Sequence, residues 1–255
     1  MLYHFPLMTH ASHLSLILLV LSNHLSLNEA RAEEKSSAKP LQLYVSAHGF
    51  VNGSFISEPS DKTVSEYPGY LIPYPGFGGV GGGGGAEFGV NWKALSLDLG
   101  FDYSADQAEG RLNGQALTLS QTTYHLPLTI RLSLPQAKLV RPSLFGGIDW
   151  VTAADTQLDA KYFSGIEAAE SESYTGWRFG FGFEVFLSNT LSIPFRVQAV
   201  YAPMNNENLD DRVEIVALNG GTLTSYKIKS KWEWQPQVSL GFTYYFGQDA
   251  LNAKN

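Results

Sequence analysis

WEWQPQVSLGFTYYF, residues 232–246, decides the fold. Trp232, Trp234, Pro236, Val238, Leu240, Phe242, Tyr244 and Phe246 occupy every second position. Between them stand Glu233, Gln235, Gln237, Ser239, Gly241, Thr243 and Tyr245, mostly polar or small. A strand sends successive side chains to opposite faces, so this segment has one apolar and one wet face. Its 15 residues outrun an ordinary strand of about five or six. A strand tilted across a bilayer needs about nine to eleven.

The same alternation recurs upstream. The first strand covers Leu41 to Val51, and the second ends with Ala86 to Trp92. The third sets Leu95, Leu97, Leu99, Phe101 and Tyr103 against Ser96, Asp98, Gly100, Asp102 and Ser104. The fourth points Tyr124, Leu126, Leu128, Ile130 and Leu132 one way and His125, Thr129 and Arg131 the other. Leu117 and Leu119 fall in the opposite phase, which predicts a bulge or strand end near Ser120 to Thr123. A fifth strand runs through Arg141 to Trp150, a sixth through Trp177 to Val185, and a seventh through Leu191 to Ala202. Long connections are expected at Asn52–Gly79, Ala105–Gln115, Thr152–Glu172 and Pro203–Ser230. Short turns are expected at Trp92-Lys93, Pro135-Gln136-Ala137 and Ser188-Asn189-Thr190. Gly81 to Gly85 reads as a flexible or lumen-inserted lead into the second strand; no Lys-Ser/Thr pair follows to make it a phosphate loop.

Short turns at one end and long loops at the other suit an all-β, eight-stranded, antiparallel up-and-down transmembrane β-barrel. The segment Ser239 to Phe246, with Ser239, Gly241, Tyr244 and a final aromatic Phe246, resembles the C-terminal assembly signal of outer-membrane β-barrel proteins. The whole span resembles eight-stranded barrels of the opacity or OmpA/OmpX type, and also OmpW-like barrels. That resemblance implies the outer membrane of a Gram-negative bacterium, outer-membrane lipid around the barrel, and recognition by the barrel-assembly machinery. Members usually stop at the aromatic residue, whereas Gly247 to Asn255 follow here.

Composition agrees. The 25 glycines and 13% aromatics fit a β-rich chain, and a mean hydropathy of −0.09 is expected where polar lumen residues dilute lipid-facing ones. No Cys is present, so neither a disulfide nor a thiolate site is possible. A net charge of −7 argues against nucleic acid as a partner. Leu14 to Leu21 is a short apolar run and Ala30-Arg31-Ala32 a small-x-small cleavage site, so residues 1–32 read as a secretory signal peptide. Residues 33–40 read as a disordered lead-in, 41–246 as the barrel and 247–255 as a periplasmic tail.

Once the phase is fixed, six charges face inward: Glu87, Asp98, Arg131, Arg141, Glu184 and Arg196. Three acids and three bases in so narrow a lumen predict a salt-bridged polar plug. The other aromatics form two expected girdles. Tyr103, Trp150, Trp177, Tyr201, Trp232 and Trp234 mark the long-loop end, and Trp92, Tyr244 and Phe246 the short-turn end. His48 and His125 face the lumen with no second ligand beside them in sequence, so no metal site is expected. The stretch YPGYLIPYPGFGG, residues 67–79, presents Tyr67, Tyr70, Tyr74 and Phe77 as a candidate recognition loop for an extracellular ligand or host surface. The alternative is packing on the barrel rim.

Together these features predict a non-enzymatic, monomeric outer-membrane barrel without cofactors, structural or loop-presenting. A small channel or hydrophobic-ligand conduit is the alternative. A lipid-modifying enzyme is a third reading, and it lacks a readable Ser-His pair.

Overall fold

In the computed structural model the longest polarity record is β5, Leu95–Leu112, an 18-residue strand in strict in–out alternation. It belongs to a closed antiparallel barrel of eight strands in the order β1, β13, β10, β9, β7, β6, β5, β4. Their ranges are β1 Gln42–Ile56, β4 Phe77–Trp92, β6 Gln115–Ser133, β7 Val140–Asp159, β9 Ser173–Phe186, β10 Leu191–Tyr201 and β13 Trp234–Tyr245. Five short strands lie in the loops: β2 Thr63–Val64, β3 Ile72–Pro73, β8 Ile166–Ala168, β11 Val213–Asn219 and β12 Thr222–Ile228. The structure describes residues 41–58, 63–64, 72–134, 139–169, 172–204 and 211–246. The signal peptide, the lead-in, the C-terminal tail, the turn at Pro135 to Ala137, and Tyr67 and Tyr70 lie outside the described residues.

The ring closes where β1 meets β13, from Tyr44 opposite Tyr245 to Phe55 opposite Trp234. Outward side chains of the lower wall are apolar and exposed, among them Leu97, Leu99, Phe101, Ile130, Phe181, Leu240 and Phe242. Such a belt suits lipid, not water.

The strands run further than expected. β5, β6 and β7 have 18, 19 and 20 residues, about twice what a bilayer needs. The predicted loop at Ala105–Gln115 is therefore a correction: β5 and β6 pair without a break up to Leu112 opposite Gln115. The connection is Asn113-Gly114, with φ of 50° and 80°, the two left-handed residues of a tight hairpin turn. The glycine run is a second correction. Gly81 to Gly85 lie inside β4, paired with β1 on one side and β5 on the other. Inward Cβ atoms at Gly81 and Gly85 would strike the carboxylates of Asp106 and Asp102, so bare backbone here makes room for lumen side chains.

The bulge expected near Ser120 to Thr123 is present in the β6–β7 pairing, between Thr122 and Thr123, but it does not reverse the phase of β6. β6 keeps its alternation, and both residues point inward and are fully buried. The extra residue sits in β7, where Thr122 faces Asp155 and Thr123 faces Ala153, leaving Ala154 over. What reverses along β6 is the polarity of the interior. Above this level Ile56, Phe77, Ala108, Leu112, Leu117 and Leu119 form an apolar cluster with Met204, Val213, Tyr226, Ile228 and Trp232 from the last loop. That loop folds its own hairpin, β11–β12, and β8 adds to it in parallel.

Candidate functional site

The inner face of β5 marks depth from the short-turn end upward: Ser96, Asp98, Gly100, Asp102, Ser104, Asp106, Ala108, Gly110 and Leu112. The lowest layer is aromatic. Tyr44, Phe186 and Tyr245 cluster there, with ring centroids 5.3 Å (Tyr44–Tyr245) and 5.7 Å (Phe186–Tyr245) apart. Arg141 lies 4.5 Å over the Phe186 ring and stands opposite Glu184 in register.

The next layer holds the rest of the predicted charges. Arg131 pairs with Asp98, Nε to Oδ2, at 3.2 Å. Arg131 also donates to the Tyr44 hydroxyl, which itself donates to Asp98. Arg196 pairs with Glu87 across the lumen, from β10 to β4. Glu184 accepts from the hydroxyls of Ser192 and Tyr245, the latter at 2.6 Å. Five of the six residues thus lie in one layer, as two close ion pairs and a carboxylate held by hydroxyls, with Arg141 below them over Phe186.

A third layer was missing from the predicted set. Arg178 Nη1 reaches Asp102 at 2.7 Å, and its Nε and Nη2 reach Asp149 at 3.0 and 2.7 Å. His48 lies 3.0 Å from Asp102, and His125 Nδ1 lies 3.1 Å from Asp149. Parity alone shows that these residues face inward. It does not show that β9 and β5 meet across the lumen, which follows from barrel stagger. Thr123 Oγ1 sits 3.0 Å from His125 Nε2. This hydroxyl–imidazole–carboxylate order resembles a nucleophilic triad. Here Asp149 is already held by Arg178, and Thr123 and His125 are buried, so the hydroxyl is closed off from solvent.

Above these ions lies a layer of hydroxyls and a carboxamide gathered on one carboxylate. Ser54 and Ser104 donate to Asp106 at 2.9 and 2.8 Å, and Asn52 also donates to it. Ser104 and Thr123 are 2.6 Å apart. The apolar cluster closes the top. Burial there pushes the Tyr226 phenol up to about 12.

Two predicted roles change. Tyr74 and Phe77 are 5% and 3% exposed, so both belong to the buried cluster and neither is available to a ligand. Trp232 is 1% exposed and leaves the girdle. β13 begins only at Trp234, and Glu233 is tied on both sides, to Phe55 and Ala202, so Trp232 turns into the interior. Trp92, Tyr103, Trp150, Trp177, Trp234, Tyr244 and Phe246 point outward, and the Tyr201 ring packs at a tilt 4.3 Å from Trp234. In the C-terminal segment Ser239 faces inward, while a Cβ at Gly241 would meet the His48 side chain.

A closed eight-stranded barrel with a lipid-facing apolar belt, an ionic interior and short turns beside both ends of the ring is the architecture of an outer-membrane barrel protein. The chain belongs to the outer membrane protein beta-barrel domain family, which it matches over residues 17–246. Membership places it in the outer membrane of Gram-negative bacteria. The outer membrane protein OprG from Pseudomonas aeruginosa is similar in fold, with a TM-score of 0.54, 13% identity, and 80% of this chain and 96% of that one covered. Neisserial surface protein A gives 0.44 at 11% identity, covering 82% and 100%. Ail, the attachment invasion locus protein of Yersinia pestis, gives 0.38 at 11%, covering 80% and 99%. A comparison with curated proteins finds no sequence match.

Proposed function

We propose that the protein is a sealed, non-enzymatic barrel that holds a folded structure at the cell surface. The interior carries this reading. Tyr44, Phe186 and Tyr245 narrow the lower end, Arg196–Glu87 and Arg178–Asp102 span the middle, and the apolar cluster caps the top. Arg178 is held by two carboxylates and Arg131 by Asp98 and Tyr44, and opening a path would strip those partners from buried charge. The barrel is inserted by the assembly machinery through the strand bearing Ser239, Gly241, Tyr244 and Phe246, acts as a monomer in outer-membrane lipid, and takes no cofactor. Export removes residues 1–32, so N-terminal sequencing of envelope protein begins at Glu33. Surface contacts with other molecules fall to the outer walls and loop tips, since Tyr74 and Phe77 are buried.

Planar-bilayer recording tests the seal. Refolded protein gives no steady unitary conductance. Regular, ion-selective steps would overturn the seal and favour the channel reading.

A further inference from the structure

The outer wall of β5, β6 and β7 carries two adjoining concavities, of about 430 and 510 Å³, that share Gln107, Ser120 and Gln157. The register explains their shape. Gln107 faces Ser120, which faces Gln157; one rung lower, Ala105 faces Thr122, which faces Asp155. In the upper rung the small Ser120 is flanked by two glutamines, and in the lower one Asp155 stands over Thr122 and Ala105, giving a trough with a low floor and polar walls. Both volumes lie in the range of small-molecule sites, about 300–1,000 Å³.

The extra residue in β7 creates the trough. Below it, Asp149, Val151 and Ala153 point inward. Had the phase continued, Asp155 and Gln157 would also point inward, into the apolar cluster. The insertion at Ala154 turns them outward, beside the Thr122 and Ser120 hydroxyls, and sends Leu158 against the cluster. Gln157 Nε2 donates to Asp155 at 3.1 Å, and both side chains are exposed.

Height names the occupant. Tyr103 and Tyr124 face each other, 5.6 Å apart, one rung below Ala105 and Thr122, with Trp150 on the neighbouring strand. These rings mark the outer edge of the lipid belt, so the trough opens where the headgroups of the outer leaflet lie. Carboxamides, hydroxyls and carboxylates beside exposed tyrosine rings suit sugar hydroxyls. Asp155 and Asp159 would repel a bare phosphate.

The geometry points to a binding site for the saccharide part of the outer-leaflet glycolipid, held by Gln107, Gln157, Asp155 and the Ser120 and Thr122 hydroxyls. The site rests on the outer-membrane placement and not on the sealed interior, so channel steps would leave it standing.

The test uses mature protein in phospholipid nanodiscs doped with lipopolysaccharide, either with intact inner sugars or trimmed to its acylated disaccharide. Native mass spectrometry reads the retained glycolipid. Wild type retains the intact form over the trimmed one. Gln107→Ala with Gln157→Ala lowers retention about tenfold, the loss expected for a pair of hydrogen bonds. Ser120→Leu, which fills the floor of a solvent-facing wall, does the same while the heat-modifiable gel mobility of the folded barrel is kept. Equal retention of the two glycolipids, unchanged retention in both variants, or retention abolished by EDTA would overturn the proposal. The last result would indicate a cation-bridged phosphate.

Discussion

The lower and upper halves of the barrel share one backbone and obey opposite polarity rules. In β5 the outward series Leu95, Leu97, Leu99, Phe101 and Tyr103 gives way to Ala105, Gln107, Glu109 and Arg111. The inward series Ser96, Asp98, Asp102, Ser104 and Asp106 gives way to Ala108, Gly110 and Leu112. Alternation is unbroken while the solvent changes. Below the tyrosines the outside is lipid, and polar groups gather within, where they satisfy one another. Above them the outside is water, and the barrel buries an apolar core as a soluble protein does. Pleating thus sets which residues share a face, and the medium sets which face is apolar.

Substitutions in each half break or sharpen this contrast. The largest effect is expected at Arg178, which serves two buried carboxylates. Arg178→Ala destabilises the barrel by about 3–5 kcal/mol, the cost of leaving buried charge unpaired. Urea titration followed by gel mobility measures it, and a loss below about 1 kcal/mol would mean that water already reaches this layer. Next comes the upper core. Leu117→Ala costs about 2–5 kcal/mol, as in a soluble interior; proteolysis of intact cells reports it as new cleavage in the last loop. Leu99→Arg, on the lipid face, hinders insertion by about 2–4 kcal/mol at mid-bilayer depth. Vesicle-folding yield checks it, and unchanged yield would displace the membrane boundary. The smallest effect belongs to Glu109→Lys on the water-facing wall, within about 0.5 kcal/mol. A large loss there would place lipid higher than Tyr103.

The same contrast decides what the sequence reveals. The lipid-facing strands are legible because an apolar residue at every second position, kept up across a bilayer's thickness, suits a membrane barrel and would burden a soluble one with an exposed greasy belt. The upper half is not legible by that rule, because Leu117 and Leu119 look like a slip in phase when one medium is assumed throughout. The tall hairpin carries its own signal, Asn113-Gly114. Gly81 to Gly85 resemble a loop because a strand chosen for absent side chains lacks alternation. Glu87, Asp98, Arg131 and Arg196 can be assigned to the interior by parity. Their pairing, and the partners His48, Asp102, Arg178 and Asp149, depend on which strands face one another across the ring.

The apolar cap also gives insertion a direction. Leu112, Leu117, Leu119, Ile228 and Trp232 can pack only after their strands and loops have been threaded through the bilayer. Withdrawal then requires unfolding that cap on the far side. The cap works as a rivet head, set after passage, which makes residence in the membrane a matter of kinetics as well as of equilibrium.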